Sequence, residues 1–309
     1  MGPKLKISTK YGAFFGLARY YMRIQVINKS FFRKFKNIIM DIRIKTPEEI
    51  AGMREACRLA SQVLDFIAPM VKAGVSTLAL DEAMEGFMKE NGCISACKGY
   101  CPRGFTPYPA ATCISINHVV CHGIPTADKL LKKGDIVNID VTVIKNGFYG
   151  DTSRMFIVGS KPGILAKRLV EGCYEALWRG IEAVKPGRPL NDIGIACSKV
   201  AREEGFSVVH EYGGHGIGRD FHEEPFVTHF DTKDNSIIMR PGMIFTIEPM
   251  LNAGARHISD LRDGWTVVTK DRSLSAQWEH TVLVTETGCE VLTMSEGYPA
   301  VPEWVTAKH

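Results

Sequence analysis

Residues 134–158 read GDIVNIDVTVIKNGFYGDTSRMFIV, and this stretch predicts a β-hairpin. β-Branched residues crowd positions 136–143, and the apolar run 155–158 supplies a second strand. Lys145, Asn146 and Gly147 lie between the strands and have the residue types of a turn. Each arm of the hairpin also carries one carboxylate, Asp140 on the first and Asp151 on the second.

These two carboxylates lie in otherwise apolar surroundings. A buried carboxylate is costly unless it is paired or bound to a metal. Two acids across one hairpin also repel each other, which raises the pKa of one of them unless a cation lies between them. The pair Asp140 and Asp151 therefore indicates a bound positive charge, and further groups that hold it are expected elsewhere in the chain.

Length and composition indicate an ordinary globular protein. The 309 residues suit one large domain or two small ones, and 45% apolar with 23% charged residues can build a sizeable core. The nine cysteines are odd in number and contain no C-x-x-C pair, which argues against a disulfide framework and favours a reducing compartment. No apolar run is long enough to span a bilayer.

The net charge of +4 is distributed unevenly. Residues 1–40 hold nine of the 38 Lys and Arg residues and none of the 34 Asp and Glu residues. This composition is typical of an organellar transit peptide or an interfacial anchor, but such segments seldom pack. From Met40 the chain reads MDIRIKTPEEIAGMREA, which looks like a natural start. We therefore expect residues 1–39 to be a basic extension, either flexible or targeting.

The remaining chain repeats one pattern. Helices are expected from Pro47, after the cap residue Thr46, and over about 77–90, 165–184 and 191–204. Matching pieces recur in the same order, namely VKAG (71–74) with VKPG (184–187), HGI (122–124) with HGI (215–217), and GDIVNID (134–140) with GMIFTIE (242–248). Each half therefore gives two helices, a histidine loop and two acid-bearing strands.

Two such halves packed face to face bring four carboxylates to one seam. The candidates are Asp140, Asp151, Glu248 and Glu279, accompanied by His122, His215 and His222. Four carboxylates in an apolar seam require about two divalent cations. A pair of such cations suits hydrolysis, and oxygen ligands with one or two imidazoles favour Mn, Fe, Co or Zn.

Seven motifs carry a resemblance to a known family. They are HGIP at 122–125, NIDVTV at 138–143, GDTS at 150–153, GHGIG at 214–218, FHEEP at 221–225, FTIEP at 245–249 and QWEHT at 277–281. In this order they resemble a type I methionine aminopeptidase of peptidase family M24, from about Met40 to Leu292. The resemblance implies the α+β pita-bread fold, with two pseudo-symmetric halves, a central curved antiparallel sheet and helices on its outer face. The catalytic domain would then cover 40–309, with halves at about 47–160 and 161–295.

The resemblance also implies an activity and a site. A metallo-exopeptidase of this kind removes the N-terminal methionine from nascent proteins and peptides, prefers a small second residue, and uses a metal-bridging hydroxide to attack the first peptide bond. The implied ligands of two divalent ions (Co, Mn, Fe or Zn) are Asp140, Asp151, His215, Glu248 and Glu279, with Asp151 and Glu279 as bridges. The implied catalytic residues are His122, His222 and Glu248. The implied substrate-binding residues are Cys97, Tyr100, Tyr108, Cys113, His122, Phe221, His222 and Trp265.

Two departures from the family pattern stand near the site. The loop from Tyr100 to Cys113 is longer than is usual, so Phe105 is an alternative to Tyr108 in the pocket. His118 stands where the family often has an acid, at the expected rim.

Two other functions compete with this interpretation. Aminopeptidase P and prolidase share the five ligands, but they usually carry a large N-terminal domain for which this chain has no room. A non-catalytic binding protein of the same fold, with its basic tail on RNA or the ribosome, typically loses metal ligands that this chain keeps. We expect a monomer that acts on nascent N-termini, with transient ribosome association, in the cytoplasm or alternatively in an organelle.

Overall fold

The computed structural model describes residues 41–102 and 104–302. Its α-helices in these ranges are α1 (Pro47–Ile67), α2 (Thr77–Glu90), α3 (Ile164–Glu182) and α4 (Asn191–Glu204), with a 3₁₀ turn at Ala68–Met70. Its longest strands are β4 (Ile136–Lys145) and β5 (Phe148–Ile157). The shorter strands are β1 (Ile94–Ser95), β2 (Cys113–Ile116), β3 (Val119–Cys121), β6 (Ser207–Val208), β7 (Gly214–Gly216), β8 (Glu223–Val227), β9 (Ile244–Ile247), β10 (Met250–Asn252), β11 (Ile258–Asp260), β12 (Val267–Thr269), β13 (Ser275–Gln277), β14 (His280–Val284) and β15 (Cys289–Val291).

Local sequence explains where the first helix begins. Thr46 accepts a hydrogen bond from the Glu49 backbone N–H, and the Glu49 carboxylate accepts one from the Thr46 N–H, which completes a capping box. Pro47 occupies the first helical position, where a missing N–H costs nothing. All four predicted helices are confirmed: the first begins at Pro47 as expected, and the other three match their expected ends within about two residues.

The predicted hairpin is confirmed, with a tighter turn than expected. Strands β4 and β5 pair antiparallel from Ile136 with Ile157 to Lys145 with Phe148. Asn146 and Gly147 alone form the turn, with φ values of 52° and 77° that suit a type I′ connection. Lys145 belongs to the strand, because its backbone continues the ladder.

Side chains along β4 alternate between the buried core and the opposite face of the sheet, which carries Asp140. Val137, Ile139, Val141 and Val143 pack against α1 and α2 in one buried cluster. The residues between them face the opposite side of the sheet, so Asp140 points away from the helices. The second half is built similarly, since α3 and α4 share a buried cluster with apolar residues of β9 and β14.

Antiparallel sheets from both halves meet at the centre. One has the order β15-β14-β9-β7-β8, and the other joins β1, β2 and β5 to β4. The Glu279 N–H donates to the Ser153 carbonyl (3.2 Å), and the Thr152 hydroxyl donates to the Glu279 carbonyl (2.8 Å). These bonds place two acid-bearing segments, one from each half, side by side.

Equivalent hydrogen bonds support the internal repeat. The Gly74 N–H donates to the Leu131 carbonyl (2.8 Å), and the Gly187 N–H donates to the Met239 carbonyl (2.9 Å). Each acceptor lies three positions before the glycine that precedes an acid-bearing strand. Both donor glycines have positive φ, 89° and 81°. The exact limits of the two halves stay predictions, and the extension 1–39 lies outside the described residues.

No helix in residues 41–102 or 104–302 combines the length and apolar character needed to cross a membrane.

Gly150 is required by the close approach of α1 to β5. A Cβ at this position would lie 2.3 Å from the Ala56 carbonyl carbon, which belongs to the backbone of α1. We expect Gly150→Ala to lower the free energy of unfolding by about 3 kcal/mol, because the helix must shift. The control is Gly86→Ala in α2, where the added methyl meets nothing within 4 Å and should stabilise by about 0.5 kcal/mol. Urea unfolding that gave Gly150→Ala wild-type stability would contradict this account.

Candidate metal centre and adjoining pocket

Five side chains on strands or next to them converge at the seam between the two halves. Asp140 lies on β4, Asp151 on β5, His215 on β7, Glu248 just after β9 and Glu279 just before β14. Carboxylate oxygens of Asp140, Asp151 and Glu279 lie within 4.8 Å of one another. The His215 Nε2 atom is 3.6 Å from Asp151 Oδ2 and 3.8 Å from Glu248 Oε1. The structure therefore brings together all five residues that the sequence indicated as ligands.

The seam concentrates negative charge that no basic side chain balances. Within the described ranges, none of these four carboxylates forms an ion pair with a lysine or arginine. Burial raises the pKa of Asp140 to about 7, and burial together with the Asp140 charge raises the pKa of Asp151 well above its usual value. Glu248 and Glu279 have raised pKa values for the same reasons. Such a cluster must take up either protons or cations.

The orientation of His215 suits a cation. Its Nδ1 lies 3.0 Å from the Gly216 carbonyl, which can only accept, so the ring proton lies on Nδ1. The Nε2 lone pair then faces the carboxylates, as a metal ligand requires. Burial lowers the pKa of His215 to about 4, so the ring is neutral at pH 7. Four carboxylates and one neutral imidazole form a donor set for divalent metals.

Supporting residues around the acids escaped the sequence interpretation. The Thr142 hydroxyl donates to Asp151 Oδ1 (2.8 Å), and the Thr246 hydroxyl donates to Glu248 Oε1 (2.7 Å). The Gln277 amide donates to Glu248 Oε2 (3.1 Å). Strand alternation could have found both threonines, because each lies two residues from a predicted ligand on the same face.

The backbone of Glu248 is held by a histidine that the motifs do not include. The Glu248 N–H donates to Nε2 of His229 (3.0 Å), so that nitrogen carries no proton. Burial lowers the pKa of His229 to about 3, which keeps the ring neutral. No local pattern separates this histidine from a structural one.

Two further histidines border the seam. The Tyr100 hydroxyl lies 2.9 Å from Nδ1 of His222, whose ring centre is 4.3 Å from that of His215. Burial, with His215 and His122 nearby, lowers the pKa of His222 well below its usual value. His122 has a φ of 55° and packs edge-on against Tyr212 and, at 6.1 Å, against Trp265. Both predicted catalytic histidines therefore line a cavity that adjoins the acids.

An apolar cavity of about 140 Å³ adjoins the acids. Its walls include every substrate-binding residue predicted from the sequence, namely Cys97, Tyr100, Tyr108, Cys113, His122, Phe221, His222 and Trp265. Most of these side chains form one cluster with Phe105 and Ile124.

The long loop places two aromatic rings in this cavity. Tyr108 is 3% exposed, and its hydroxyl donates to the carbonyls of Thr112 (3.2 Å) and Gly123 (3.0 Å). Phe105 also lines the cavity, with its ring centre 5.0 Å from that of Trp265. The longer loop therefore supplies both rings, and the choice between them as the methionine contact stays a prediction.

His118 does not line the cavity. Its Nε2 lies 2.9 Å from Nη1 of Arg272, which can only donate, so this nitrogen accepts. Burial and the Arg272 charge lower the pKa of His118.

Known proteins resemble this chain in both sequence and fold. The model of metallopeptidase family M24 matches residues 51–286. The methionine aminopeptidase of Escherichia coli K12 is 58% identical over 256 residues, which are 82% of this chain and 95% of that protein. The methionine aminopeptidase structure from Rickettsia prowazekii shares 48% identity with a TM-score of 0.77, and covers 82% of this chain and 100% of that one.

The prolidase alternative fits less well. A prolidase structure from Pyrococcus horikoshii has 25% identity and a TM-score of 0.64. It covers 82% of this chain but only 64% of the prolidase, whose remaining residues have no counterpart here. Shared architecture with these structures confirms the predicted pita-bread α+β fold. The chain therefore belongs to metallopeptidase family M24 and, within it, to the methionine aminopeptidases.

Proposed function

We propose that this enzyme releases methionine from peptides with a small second residue, using a dinuclear centre held by Asp140, Asp151, His215, Glu248 and Glu279. One observation carries the proposal: a buried cluster of metal-ligand side chains opens directly onto an apolar cavity lined by aromatic rings and thiols. A thioether side chain suits such a cavity, because sulfur is polarisable and packs well against aromatic edges.

The charge of the seam supports two metal ions. Four carboxylates carry four negative charges, which about two divalent cations balance. Asp151 has oxygens near Asp140, Glu279 and His215, so it would be a shared ligand. Burial and the charges of the other three acids raise the pKa of Glu279, so this carboxylate also needs a nearby cation to stay ionised. Co, Mn, Fe and Zn all accept these donors.

When bound, such ions polarise the substrate carbonyl and lower the pKa of water toward neutrality. The protein's own contribution begins with Glu248. Its carboxylate would take up the proton that the attacking water loses and return it to the leaving amine. Hydrogen bonds from Thr246 and Gln277 hold its two oxygens in place during this transfer.

His222 is oriented to donate to the substrate. Burial raises the pKa of Tyr100, so its hydroxyl stays protonated and donates a hydrogen bond to Nδ1 of His222. The ring proton of His222 then lies on Nε2, which would donate to the scissile carbonyl oxygen as negative charge develops there. His122, which also lines the cavity, would position the scissile amide.

Peptide turnover tests this proposal. We expect the metal-loaded enzyme to release methionine from Met-Ala-Ser much faster than glutamate from Glu-Ala-Ser, because only methionine suits the apolar cavity. An Xaa-Pro dipeptide serves as the prolidase control. Faster hydrolysis of the Xaa-Pro peptide than of Met-Ala-Ser would refute the assignment.

The natural substrates would be nascent polypeptide N-termini. Transient ribosome association, a monomeric state and a cytoplasmic location stay predictions.

A buried ion pair holds the loop that carries His222. The ammonium of Lys45 contacts the Glu223 carboxylate, and both side chains are about 5% exposed. The same carboxylate accepts the backbone N–H groups of Arg219 (3.2 Å) and Asp220 (3.4 Å). Glu223 therefore fixes the turn immediately before His222, and Lys45 fixes Glu223 to the segment that leads into α1.

We expect Lys45→Met to destabilise the fold by about 2 kcal/mol, because the buried Glu223 carboxylate then keeps only the partly exposed Arg43 guanidinium (3.3 Å) as an ion-pair partner. We also expect kcat to fall roughly tenfold through displacement of His222. Adding Glu223→Gln should recover much of both losses, since the carboxylate that lost its buried partner is then neutral. The matched control is Arg54→Met, which breaks an exposed pair with Glu290 and should cost at most about 1 kcal/mol. Equal losses in the single and double variants would contradict the coupling.

A further inference from the structure

The cavity has a closed end and an open end. The closed end is the aromatic and thiol cluster, where Tyr108 is 3% exposed and Trp265 is 7% exposed. The other end includes Tyr212, Gly213 and Phe226, which lie outside that cluster. Phe226 is the most exposed of these, at 38%, although its ring lines the cavity.

Strand register explains why this ring faces the cavity. Phe226 on β8 lies directly opposite His215 on β7 in an antiparallel pair. Side chains of directly opposed residues lie on the same face of a sheet, so the ring shares the side of the metal-ligand imidazole.

Gly213 makes room for the ring. A Cβ at position 213 would lie 2.9 Å from the Phe226 ring and 2.5 Å from the Val227 carbonyl oxygen. The ring therefore packs close to the Gly213 backbone, while Phe226 remains 38% exposed. An exposed aromatic face at the mouth of a binding cavity offers contact area for a ligand.

The residues that line the two ends of the cavity indicate the direction in which a bound peptide would run. In the proposed function the methionine side chain would occupy the aromatic and thiol cluster, and the first peptide bond would lie beside the acids. The peptide beyond the second residue must then leave through the open end, where Phe226 lies. We propose that Phe226 forms an apolar subsite for the side chain of the third residue of the substrate. This inference rests on the proposed function and extends it to substrate choice beyond the second position.

The test varies only the third residue of the peptide. For Met-Ala-Xaa-Ser peptides, we expect kcat/KM with Leu or Phe as Xaa to exceed that with Ser or Asp by roughly threefold to tenfold, the range for one aromatic contact. Phe226→Ala should reduce this ratio to about one, and Phe226→Leu should keep most of it. The matched control is Phe66→Ala, since Phe66 is equally exposed at 38% but lies on α1 away from the cavity.

Each outcome distinguishes the two proposals. A wild-type enzyme that cleaves these peptides without preference at the third position overturns the subsite but leaves the proposed function intact. A preference that survives in both Phe226→Ala and Phe226→Leu also overturns it, as does a preference lost equally in Phe66→Ala. Failure of the wild-type enzyme to release methionine from any of the peptides refutes the proposed function itself.

Discussion

Glu248→Gln is expected to lower kcat/KM for Met-Ala-Ser by roughly a thousandfold, with little effect on stability. A glutamine side chain has nearly the same shape but cannot take up the proton that hydrolysis releases. Positioned acid–base groups contribute about a hundredfold to ten-thousandfold to such reactions. Loss of one negative charge also lowers the affinity of the site for divalent cations.

The fold should survive because the surroundings can adapt. Thr246 can still donate to the amide oxygen of the new glutamine. Gln277 now donates to Glu248, and its own buried carbonyl oxygen has no hydrogen-bond partner. Rotation of the Gln277 amide would let that oxygen accept from the new amide group.

Kinetics and thermal unfolding together check this prediction. The matched control is Glu224→Gln, which changes a partly buried acid that does not line the cavity, and it should retain most activity. Full activity in Glu248→Gln would remove Glu248 from the mechanism. A large fall in Tm would instead mean that the loss of activity reflects unfolding.

Removal of the metal ions is expected to abolish activity and to reverse the pH dependence of stability. In the metal-free protein, burial holds the pKa of Asp140 at about 7, above its unfolded value near 4. The folded state therefore binds more protons between about pH 4 and pH 7, and stability falls as the pH rises through that range. Metal binding needs ionised ligands, so it strengthens as the pH rises.

Thermal unfolding of the metal-free and the metal-loaded protein at several pH values tests the direction of this pH dependence. We expect Tm of the chelated protein to fall from about pH 5 to pH 8, while Tm of the manganese-loaded protein rises or stays level. The Asp140→Asn variant should flatten the slope of the chelated form, because one raised carboxyl is gone. Metal analysis should find about two ions per chain in the reconstituted enzyme. A chelated protein that gained stability toward pH 8 would contradict the burial of unpaired acids.

Sequence reasoning performed best where the signal is local or repeated. The alternation in 136–143 and the turn at Asn146 and Gly147 predicted the hairpin, because strand and turn preferences act between near neighbours. The shared order of glycine, strand and acid in both halves led to Glu248 as the counterpart of Asp140. Resemblance to the family then gave His222 its catalytic role and added the pocket residues, which no spacing rule supplies.

The sequence by itself thus determined the helices, the hairpin, the repeated pattern and a set of four acids and three histidines, from which the family resemblance selected the five ligands. Only the tertiary structure decided which residues support the site, such as Gln277 on Glu248 and, beside His222, Lys45 on Glu223, which is 178 positions away. It also decided that Phe226 shares the face of His215 at the open end of the cavity. Periodicity records which face of an element is buried, whereas partners between elements depend on register and packing that no short stretch of chain encodes.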